Sequence, residues 1–354
     1  MTSLADVFEV VIGVDTHVDT HTAAAVNART GAVLGSVQVP TTPAGYQELL
    51  DFAEAYAEVR AWAIEGTGVH GAGLTRLLAS QEEYVVELDR PERAKRRHGA
   101  KTDQLDAVRA AREALARPVL GTPRANGDRQ ALSVLLAARR SAVDAAGVAQ
   151  RQLFSLVIAA PEALRSKFRG HTVPEQVHIA SRLRTSPHWD TETRTTATVL
   201  RQLARRCQQL ATEADTHQQA ILTIVNHWRP DLLAVTGVGP IVAATVLCAW
   251  SHQGRIRSEA AFAMLAGVTP IPANSGHTTN RYRLNRSGDR QLNRALHTIT
   301  LVRQRCDQAT RTYTTRRTEQ GKTRREIRRC LKRYIARELF KLLQNDPNQP
   351  LDPT

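Results

Sequence analysis

Cysteine is scarce in this sequence, and its distribution excludes two common ways of stabilising a fold. The four cysteines, Cys207, Cys248, Cys306 and Cys330, lie far apart. They form neither a CxxC pair nor a cysteine–histidine cluster, so neither a disulfide framework nor a structural zinc site is indicated. We expect reduced thiols in the core or at the surface.

Long apolar runs are also missing. No stretch approaches the roughly 18 uninterrupted apolar residues that a membrane-spanning helix needs, and no signal-peptide pattern opens the sequence. These two absences predict a soluble, cytoplasmic protein.

Negative charge is in the minority. The chain has 34 Asp and Glu against 48 Lys and Arg, which gives a net charge of +14. Because guanidinium groups bind phosphates bidentately, an arginine-rich surplus favours nucleic acid as a partner. At 354 residues the chain is long enough for two or three domains.

The first part of the chain, residues 1–125, has the pattern of an α/β domain. Short apolar runs separated by "NARTG" predict a hairpin, so the chain opens with two or three antiparallel strands. A helix, a strand "RAWAIEG", a helix, a strand "YVVELD" and a further helix follow. Simple doubly wound folds begin β-α-β, so the early hairpin favours a ribonuclease-H-like domain.

Long helices are predicted for residues 126–228. One apolar seam alternates three- and four-residue steps, which is the spacing of a coiled coil. Its members are Leu200, Leu203, Cys207, Leu210, Ala214, His217, Ile221 and Ile224. A weaker seam precedes it, through Leu132, Leu136, Val143, Ala146, Leu153 and Val157. The two could pair as an antiparallel hairpin or between protomers, and the sequence leaves both possibilities open.

A third, mainly helical domain is predicted for residues 229–343. Its "GVGP", with Gly237 and Gly239, has the pattern of a helix-hairpin-helix, in which glycines let backbone amides approach a DNA phosphate. A tight turn between two packed helices explains the tetrapeptide equally well.

A basic segment closes that domain. Residues 311–337 carry eleven Arg and Lys against two Glu, with apolar residues at helical spacings. So unequal a charge predicts one phosphate-contacting helix, with Arg324, Arg325, Arg328 and Arg329 among its contacts. The residues after it, 344–354, have the composition of a disordered tail.

Four acids suggest a metal site in the first domain. Asp15 follows the apolar run "VVIGV", Glu65 ends the strand "AWAIEG", and Asp103 and Asp106 stand three residues apart on one helix face. Four carboxylates at one sheet edge would suit Mg²⁺ and phosphoryl transfer. The basic residues just before Asp103 in the sequence would then form an approach surface for a nucleic-acid backbone: Arg93, Lys95, Arg96, Arg97 and Lys101.

Each acid also has a simpler explanation. Asp15 could cap a turn, Glu65 could pair with an arginine, and Asp103 or Asp106 could stabilise a helix N-terminus capped by Thr102. The order of all four favours the metal site. We place the nearby His17 and His21 outside that site, as part of a polar strand exit, with Asp19 as a possible neighbour.

In the order Asp15, Glu65 and "KTDQLDA", the sequence resembles the DEDD transposases of the insertion-sequence family numbered one hundred and ten. These are relatives of the Piv invertase and similar to RuvC-type resolvases in their N-terminal domain. The later blocks "LLAVTGVGPIVAATVL" and "PANSGH", followed by "GDRQL", resemble the family's C-terminal domain. The resemblance runs from about residue 9 to about residue 310.

The resemblance implies a role for Ser275, which corresponds to the family's nucleophilic serine. Gly276 would let the backbone approach a phosphate, and nearby arginines would balance charge on a pentavalent transition state. These arginines are Arg281, Arg283 and Arg286, and Arg290 is expected as a further nucleic-acid contact. Without the resemblance, the Ser-Gly pair would be interpreted as an ordinary loop.

The resemblance also implies partners and an activity. The partners are donor and target double-stranded DNA, a structured noncoding guide RNA, and further copies of the chain as dimers and tetramers near the bacterial nucleoid. The expected activity is Mg²⁺-dependent site-specific recombination through a covalent phosphoserine. The alternatives are a RuvC-like nuclease that uses metal-activated water, an invertase without an RNA guide, and a binding protein without catalysis.

Overall fold

The computed structural model describes residues 3–88, 102–275, 279 and 281–345. It consists of two compact units, Met1–Asn126 and Gly127–Thr354. Six of the predicted nucleic-acid contacts lie outside the described residues: Arg93, Lys95, Arg96, Arg97, Lys101 and Gly276.

The first unit contains a five-stranded sheet. Its strands are β1 (Val10–Thr16), β2 (Thr20–Asn27), β3 (Val33–Pro40), β4 (Arg60–Glu65) and β5 (Tyr84–Leu88). Their order is β3-β2-β1-β4-β5, with antiparallel pairing in the β1, β2 and β3 hairpins and parallel pairing from β1 to β4 to β5. Strand β1 is therefore central, and its C-terminal end lies beside that of β4.

Four helices accompany this sheet. They are α1 (Leu4–Val7), α2 (Pro43–Glu54), α3 (Ala72–Ser80) and α4 (Asp103–Ala116). On one face, Ile12 and Val14 of β1 pack with the apolar sides of α2 and α3. On the other, Val11 of β1 packs with the alanine-rich side of α4. The predicted order of strands and helices is confirmed, and the mixed α/β architecture is consistent with a ribonuclease-H-like domain.

The second unit is almost entirely helical. Its first helices are α5 (Asp128–Ala159), α6 (Glu162–Arg165), a 3-10 helix (Ser166–Phe168), α7 (Val173–Ser181) and α8 (Thr191–Trp228). The later ones are α9 (Asp231–Ala234), α10 (Pro240–Trp250), α11 (Glu259–Leu265), α12 (Arg290–Cys306), α13 (Gln308–Glu319) and α14 (Arg324–Gln344). Two short strands, β6 (Ile271–Pro272) and β7 (Tyr282–Arg283), form a hairpin between α11 and α12.

Helices α5 and α8 pack antiparallel within the one chain. Arg139 donates a hydrogen bond to Gln218, and farther along α5 the Cys207 thiol of α8 lies 4.0 Å from the carbonyl oxygen of Ala146. Of the predicted seam on α8, Leu200, Leu203, Cys207, Ala214 and Ile221 are buried. The antiparallel hairpin left open by the sequence is thus the arrangement in this chain, whereas coiled-coil supercoiling stays a prediction.

Two expectations for the C-terminal part need correction. The basic segment 311–337 is not one helix, because α13 ends at Glu319, Gly321 adopts a positive φ of 78°, and α14 begins at Arg324 after the N-cap Thr323. The predicted tail begins too early, since Gln344 is the last residue of α14. Residues 346–354 lie outside the described part of the chain.

Two of the absences noted in the sequence can be compared with the structure. All four cysteines are free thiols, as expected. Within the described ranges, no helix is both long and apolar enough to cross a membrane.

Candidate active site

Asp15 and Glu65 lie at the same edge and on the same face of the sheet. Alternation along β1 puts Asp15 on the face of Val11, and alternation along β4 puts Glu65 on the face of Ala61 and Ala63; all three apolar residues pack with α4. The strand ends are tied together, because the Thr16 hydroxyl donates to the Glu65 carbonyl oxygen at 2.9 Å. Both strand-end acids therefore face the helix that carries the other two.

A glycine lets that helix approach the strand. A Cβ built on Gly13 would lie 2.0 Å from the Ala107 carbonyl oxygen and 2.6 Å from the Ala111 amide nitrogen. The N-terminal turn of α4 is fixed by Thr102, whose side chain accepts a hydrogen bond from the Leu105 amide. Because β1 and α4 are in contact at Gly13, the start of α4 lies close to the end of β1.

The side chains of Asp15 and Asp103 lie close to each other, and the imidazole of His17 lies near both. His17 Nε2 lies 3.2 Å from Asp15 Oδ2 and 3.6 Å from Asp103 Oδ1. One donor atom from each of the three side chains lies within 4.8 Å of the other two. The sequence pattern predicted His17 outside the site, as part of a polar strand exit. Its position two residues after Asp15, at the entrance to the β1–β2 turn, was the available signal.

The remaining two acids occupy neighbouring positions. Asp106 lies one turn after Asp103 in α4 and forms an ion pair with Arg109, with 2.7 Å between Asp106 Oδ1 and Arg109 Nη1. Glu65 closes β4 at the same edge. The structure thus brings Asp15 and Asp103 into direct proximity, whereas Glu65 and Asp106 flank them.

The electrostatics of Asp15 reflect this crowding. Burial raises the pKa of the Asp15 carboxyl above its ordinary value, and His17 opposes the rise. The negative charges of Asp106 and Asp103 raise the same pKa further. Carboxylates that repel one another at a sheltered edge are a setting in which a divalent cation is stabilising. The donor set therefore fits a hard or borderline metal ion.

Ser275 stands in the second unit, in the hairpin of β6 and β7. The Ala273 amide donates to the Arg281 carbonyl oxygen at 2.7 Å, and the Arg281 amide donates to Asn274 Oδ1 at 3.1 Å. At the base of the hairpin Gly288 lies against Gly267, where a Cβ on Gly288 would come within 2.4 Å of the Gly267 Cα. Ser275 itself is exposed. The hairpin presents a solvent-accessible hydroxyl from an anchored base.

Exposed arginines accompany this hairpin. They are Arg281, Arg283, Arg286 and Arg290, of which the last is the first residue of α12. The two glycines of "GVGP" differ: Gly237 has a positive φ of 89° and a built Cβ 3.2 Å from Ile299, whereas the space around Gly239 is open. Packing against α12 thus accounts for Gly237, in line with the tight-turn interpretation. A phosphate contact through Gly239 stays a prediction.

The start of α14 presents a further basic surface. Arg324, Arg325 and Arg329 are exposed, while Arg328 donates to Gln304 of α12 at 3.1 Å. Behind them Ile327, Leu331 and Ile335 are buried. The helix therefore separates a charged side from a packed side. Arg324, Arg325 and Arg329 are therefore solvent-accessible cations, whereas Arg328 supports the packing of α14 on α12.

Four acids at one edge of the α/β unit, two near strand ends and two on the next helix, are the kind of carboxylate group that enzymes of phosphoryl transfer use to hold divalent metal ions.

Two protein-family models match this chain. Residues 12–158 match the model of the DEDD transposase family of the IS110 type, and residues 230–315 match the family described as "Transposase IS116/IS110/IS902 family". The chain belongs to the IS110 family of DEDD transposases.

Two relatives support this assignment. Over 152 residues the chain is 30% identical to an uncharacterized 42 kDa protein of insertion element IS900 from Mycobacterium paratuberculosis. The aligned residues are 42% of this chain and 38% of the relative. The chain is 31% identical over 116 residues to an uncharacterized 43.6 kDa protein of insertion element IS110 from Streptomyces coelicolor, covering 33% and 29%. The matched part spans well under half the length of these curated relatives.

Proposed function

We propose that this chain is the transposase of an insertion sequence, a site-specific DNA recombinase that depends on Mg²⁺ and forms a covalent phosphoserine. The observation that carries the proposal is the approach of Asp15 and Asp103 to within 4.8 Å at the edge where Glu65 ends β4. Family membership adds the substrate class, which is DNA.

The acids are proposed as the metal ligands. Asp15, Glu65, Asp103 and Asp106 would hold the ion, and when bound it would neutralise charge on the phosphate under attack. Carboxylate oxygens are the ligands that Mg²⁺ prefers. The acids also keep the edge negative, so phosphate approaches it only together with a cation.

Ser275 is proposed as the nucleophile. Its Oγ gives up its proton and forms a bond to the scissile phosphorus, while the bond from phosphorus to the leaving deoxyribose oxygen breaks and that oxygen takes up a proton. Rejoining reverses the step on a new strand, and the number of phosphodiester bonds is conserved. The arginines around the hairpin, Arg281, Arg283 and Arg286, would stabilise the extra negative charge of the transition state.

The nucleic-acid partners are proposed from charge and family. The net charge of +14 and the exposed arginines of the hairpin and of α14 support binding to double-stranded DNA and to a structured noncoding RNA that guides the choice of site. Self-assembly into dimers, and tetramers in the synaptic complex, completes the proposal. Competition between the element's own RNA end and unrelated RNA of equal length tests the guide.

A suicide DNA substrate tests the nucleophile. The wild-type chain should form a covalent adduct with a nicked donor end, and Ser275→Ala should form none. Ser287→Ala, an exposed serine beyond the hairpin, is the matched control and should retain the adduct. An adduct that persists in Ser275→Ala removes Ser275 from the mechanism.

The adduct assay, together with recombination and DNA-binding assays, distinguishes the proposed recombinase from the three alternative functions. Cleaved DNA without any adduct in the wild-type chain would identify a nuclease that uses activated water. Recombination that proceeds at full rate without RNA would identify an invertase without an RNA guide. DNA binding that is unaffected by Asp15→Asn, with no cleavage in either protein, would identify a binding protein.

A further inference from the structure

We propose that His17 is a ligand of the metal ion at the acidic edge, so that this site combines carboxylate oxygens with one imidazole nitrogen and prefers Mn²⁺ to Mg²⁺. The inference rests on the proposed function, because it concerns the metal that the proposed function requires. It adds a residue outside the four acids and changes the expected preference of the site.

The spacing of donor atoms supports direct ligation. Two ligand atoms about 2.1 Å from one ion, at the angles of an octahedron or tetrahedron, lie roughly 3.0–3.4 Å apart. His17 Nε2 is 3.2 Å from Asp15 Oδ2 and 3.6 Å from Asp103 Oδ1. These two distances are close to those between neighbouring ligands of one ion, and the donor atoms of Asp15 and Asp103 lie within 4.8 Å of each other.

The backbone holds His17 in this position. Its amide donates to the Thr20 carbonyl oxygen at 3.0 Å, which closes the β1–β2 turn. The turn is tied to the residue after β3 as well, since the Thr41 amide donates to the Asp19 carbonyl oxygen and the Thr41 hydroxyl to the Val18 carbonyl oxygen. Because the turn is held at both ends, the Cα of His17 keeps a fixed position relative to Asp15 on the preceding strand.

The three side chains are accessible to an ion from solvent and include one carboxylate that is shielded from water. The side chains of His17 and Asp103 are 48% and 44% exposed, while that of Asp15 is 17% exposed. An ion can therefore enter from solvent past His17 and Asp103 without any opening of the fold, and it reaches a carboxylate that is largely shielded from water.

The chemistry of imidazole sets the metal preference. Mg²⁺ binds oxygen ligands and gains little from nitrogen, whereas imidazole suits first-row transition metals and Mn²⁺ accepts both carboxylate oxygen and imidazole nitrogen. Imidazole binds a metal ion through a ring nitrogen in its neutral form. The competing explanation is an ordinary ion pair between His17 and two acids.

Pulsed electron paramagnetic resonance of bound Mn²⁺ distinguishes the two. The full chain loaded with one equivalent of Mn²⁺ should show the ¹⁴N modulation of a directly bound imidazole, and His17→Ala should lose it. His217→Ala, which removes a histidine 3.7 Å from the single carboxylate of Glu213 on α8, should keep it.

Titration calorimetry with Mn²⁺ alone and Mg²⁺ alone supplies the second measurement. His17→Ala should weaken Mn²⁺ binding about tenfold or more and Mg²⁺ binding by clearly less. His17→Gln offers an amide oxygen in place of the imidazole. This variant should still bind the metal ion, but without the ¹⁴N modulation of imidazole and with its metal preference shifted from Mn²⁺ toward Mg²⁺. Because His17 is half-exposed, both variants should fold, which circular dichroism checks.

The outcomes separate this inference from the function on which it rests. Mn²⁺ that binds, requires Asp15 and shows no nitrogen coupling would overturn the role of His17 and leave the carboxylate metal site standing. Unchanged nitrogen coupling in His17→Ala would also overturn it. The absence of any Asp15-dependent binding of Mn²⁺ or Mg²⁺ would refute both the inference and the metal dependence.

Discussion

Gly13 and Ala107 are in contact through their backbones, and a Cβ on Gly13 would lie 2.0 Å from the Ala107 carbonyl oxygen. This contact is what brings α4 onto β1. Since Asp15 stands two residues after Gly13 and Asp103 four residues before Ala107, it also sets the distance between the two acids.

Gly13→Ala should therefore damage both stability and the site. The added methyl group forces α4 away from the sheet, and we expect a loss of about 1–3 kcal/mol in the free energy of unfolding, together with weaker metal binding. Urea unfolding and calorimetry measure the two effects. Gly68→Ala is the control, because nothing lies within 4 Å of its built Cβ. Equal behaviour of the two variants would contradict the tight contact.

Asp15→Asn should abolish metal-induced stabilisation. In the wild type, a metal at 100 times its dissociation constant should add about 2.7 kcal/mol to the free energy of unfolding. Without metal, the variant should be at least as stable as the wild type, because the replacement removes a sheltered charge near Asp103 and Asp106. Thermal unfolding with and without Mg²⁺ provides the measurement, and Asp51→Asn in α2 is the control. A metal response retained in Asp15→Asn would argue against the site.

Arg229 should be important for the stability of the second unit. Its buried guanidinium pairs with Asp231 and donates to the carbonyl oxygens of Leu342 and Leu343 at the end of α14. Arg229→Ala leaves these acceptors without their donor, and we expect a loss of about 3–5 kcal/mol. Arg169→Ala breaks the exposed pair with Glu162 and should cost no more than about 1 kcal/mol. Chemical denaturation compares them.

The exposed arginines of α14 should contribute to the salt dependence of DNA binding. Replacing Arg324, Arg325 and Arg329 together by alanine should lower the slope of log affinity against log salt by about 0.9 for each phosphate that is no longer neutralised, or roughly 2.7 in all. The control removes the same charge elsewhere on the second unit, at Arg165, Arg182 and Arg184, which are also exposed. Fluorescence anisotropy at several salt concentrations measures the slopes, and identical slopes in both triple variants would exclude a specific role for α14.

The order of the elements was predictable from the sequence because each element carries its own local signal. Short apolar runs separated by turn residues indicated the strands, and "NARTG" indicated the hairpin that precedes Val33. Asp15 directly follows an apolar run, and Glu65 ends one, so their positions near strand ends followed from the same signals. Thr102 gave the start of α4 by its capping side chain.

What could not be predicted depends on contacts between distant segments. The position of His17 beside Asp103 depends on how closely α4 packs at Gly13, and no local pattern encodes that distance. The apolar seams of α5 and α8 could pair within one chain or between two copies of it, and the sequence pattern is the same in both cases. The break at Gly321 was missed because the basic charge continues across it. The role of Ser275 came only from resemblance, since an exposed loop serine has no distinctive pattern.

The antiparallel pairing of α5 and α8 restricts how the length of this protein can change. Each residue removed from a helix turns everything after it by about 100°, so a single deletion within α8 would rotate Cys207 or Ile221 off the shared seam. Only paired changes of about seven residues, made opposite each other in both helices, keep the register. Natural relatives with longer or shorter versions of this region should therefore differ in such matched steps, and the same steps offer a way to engineer it.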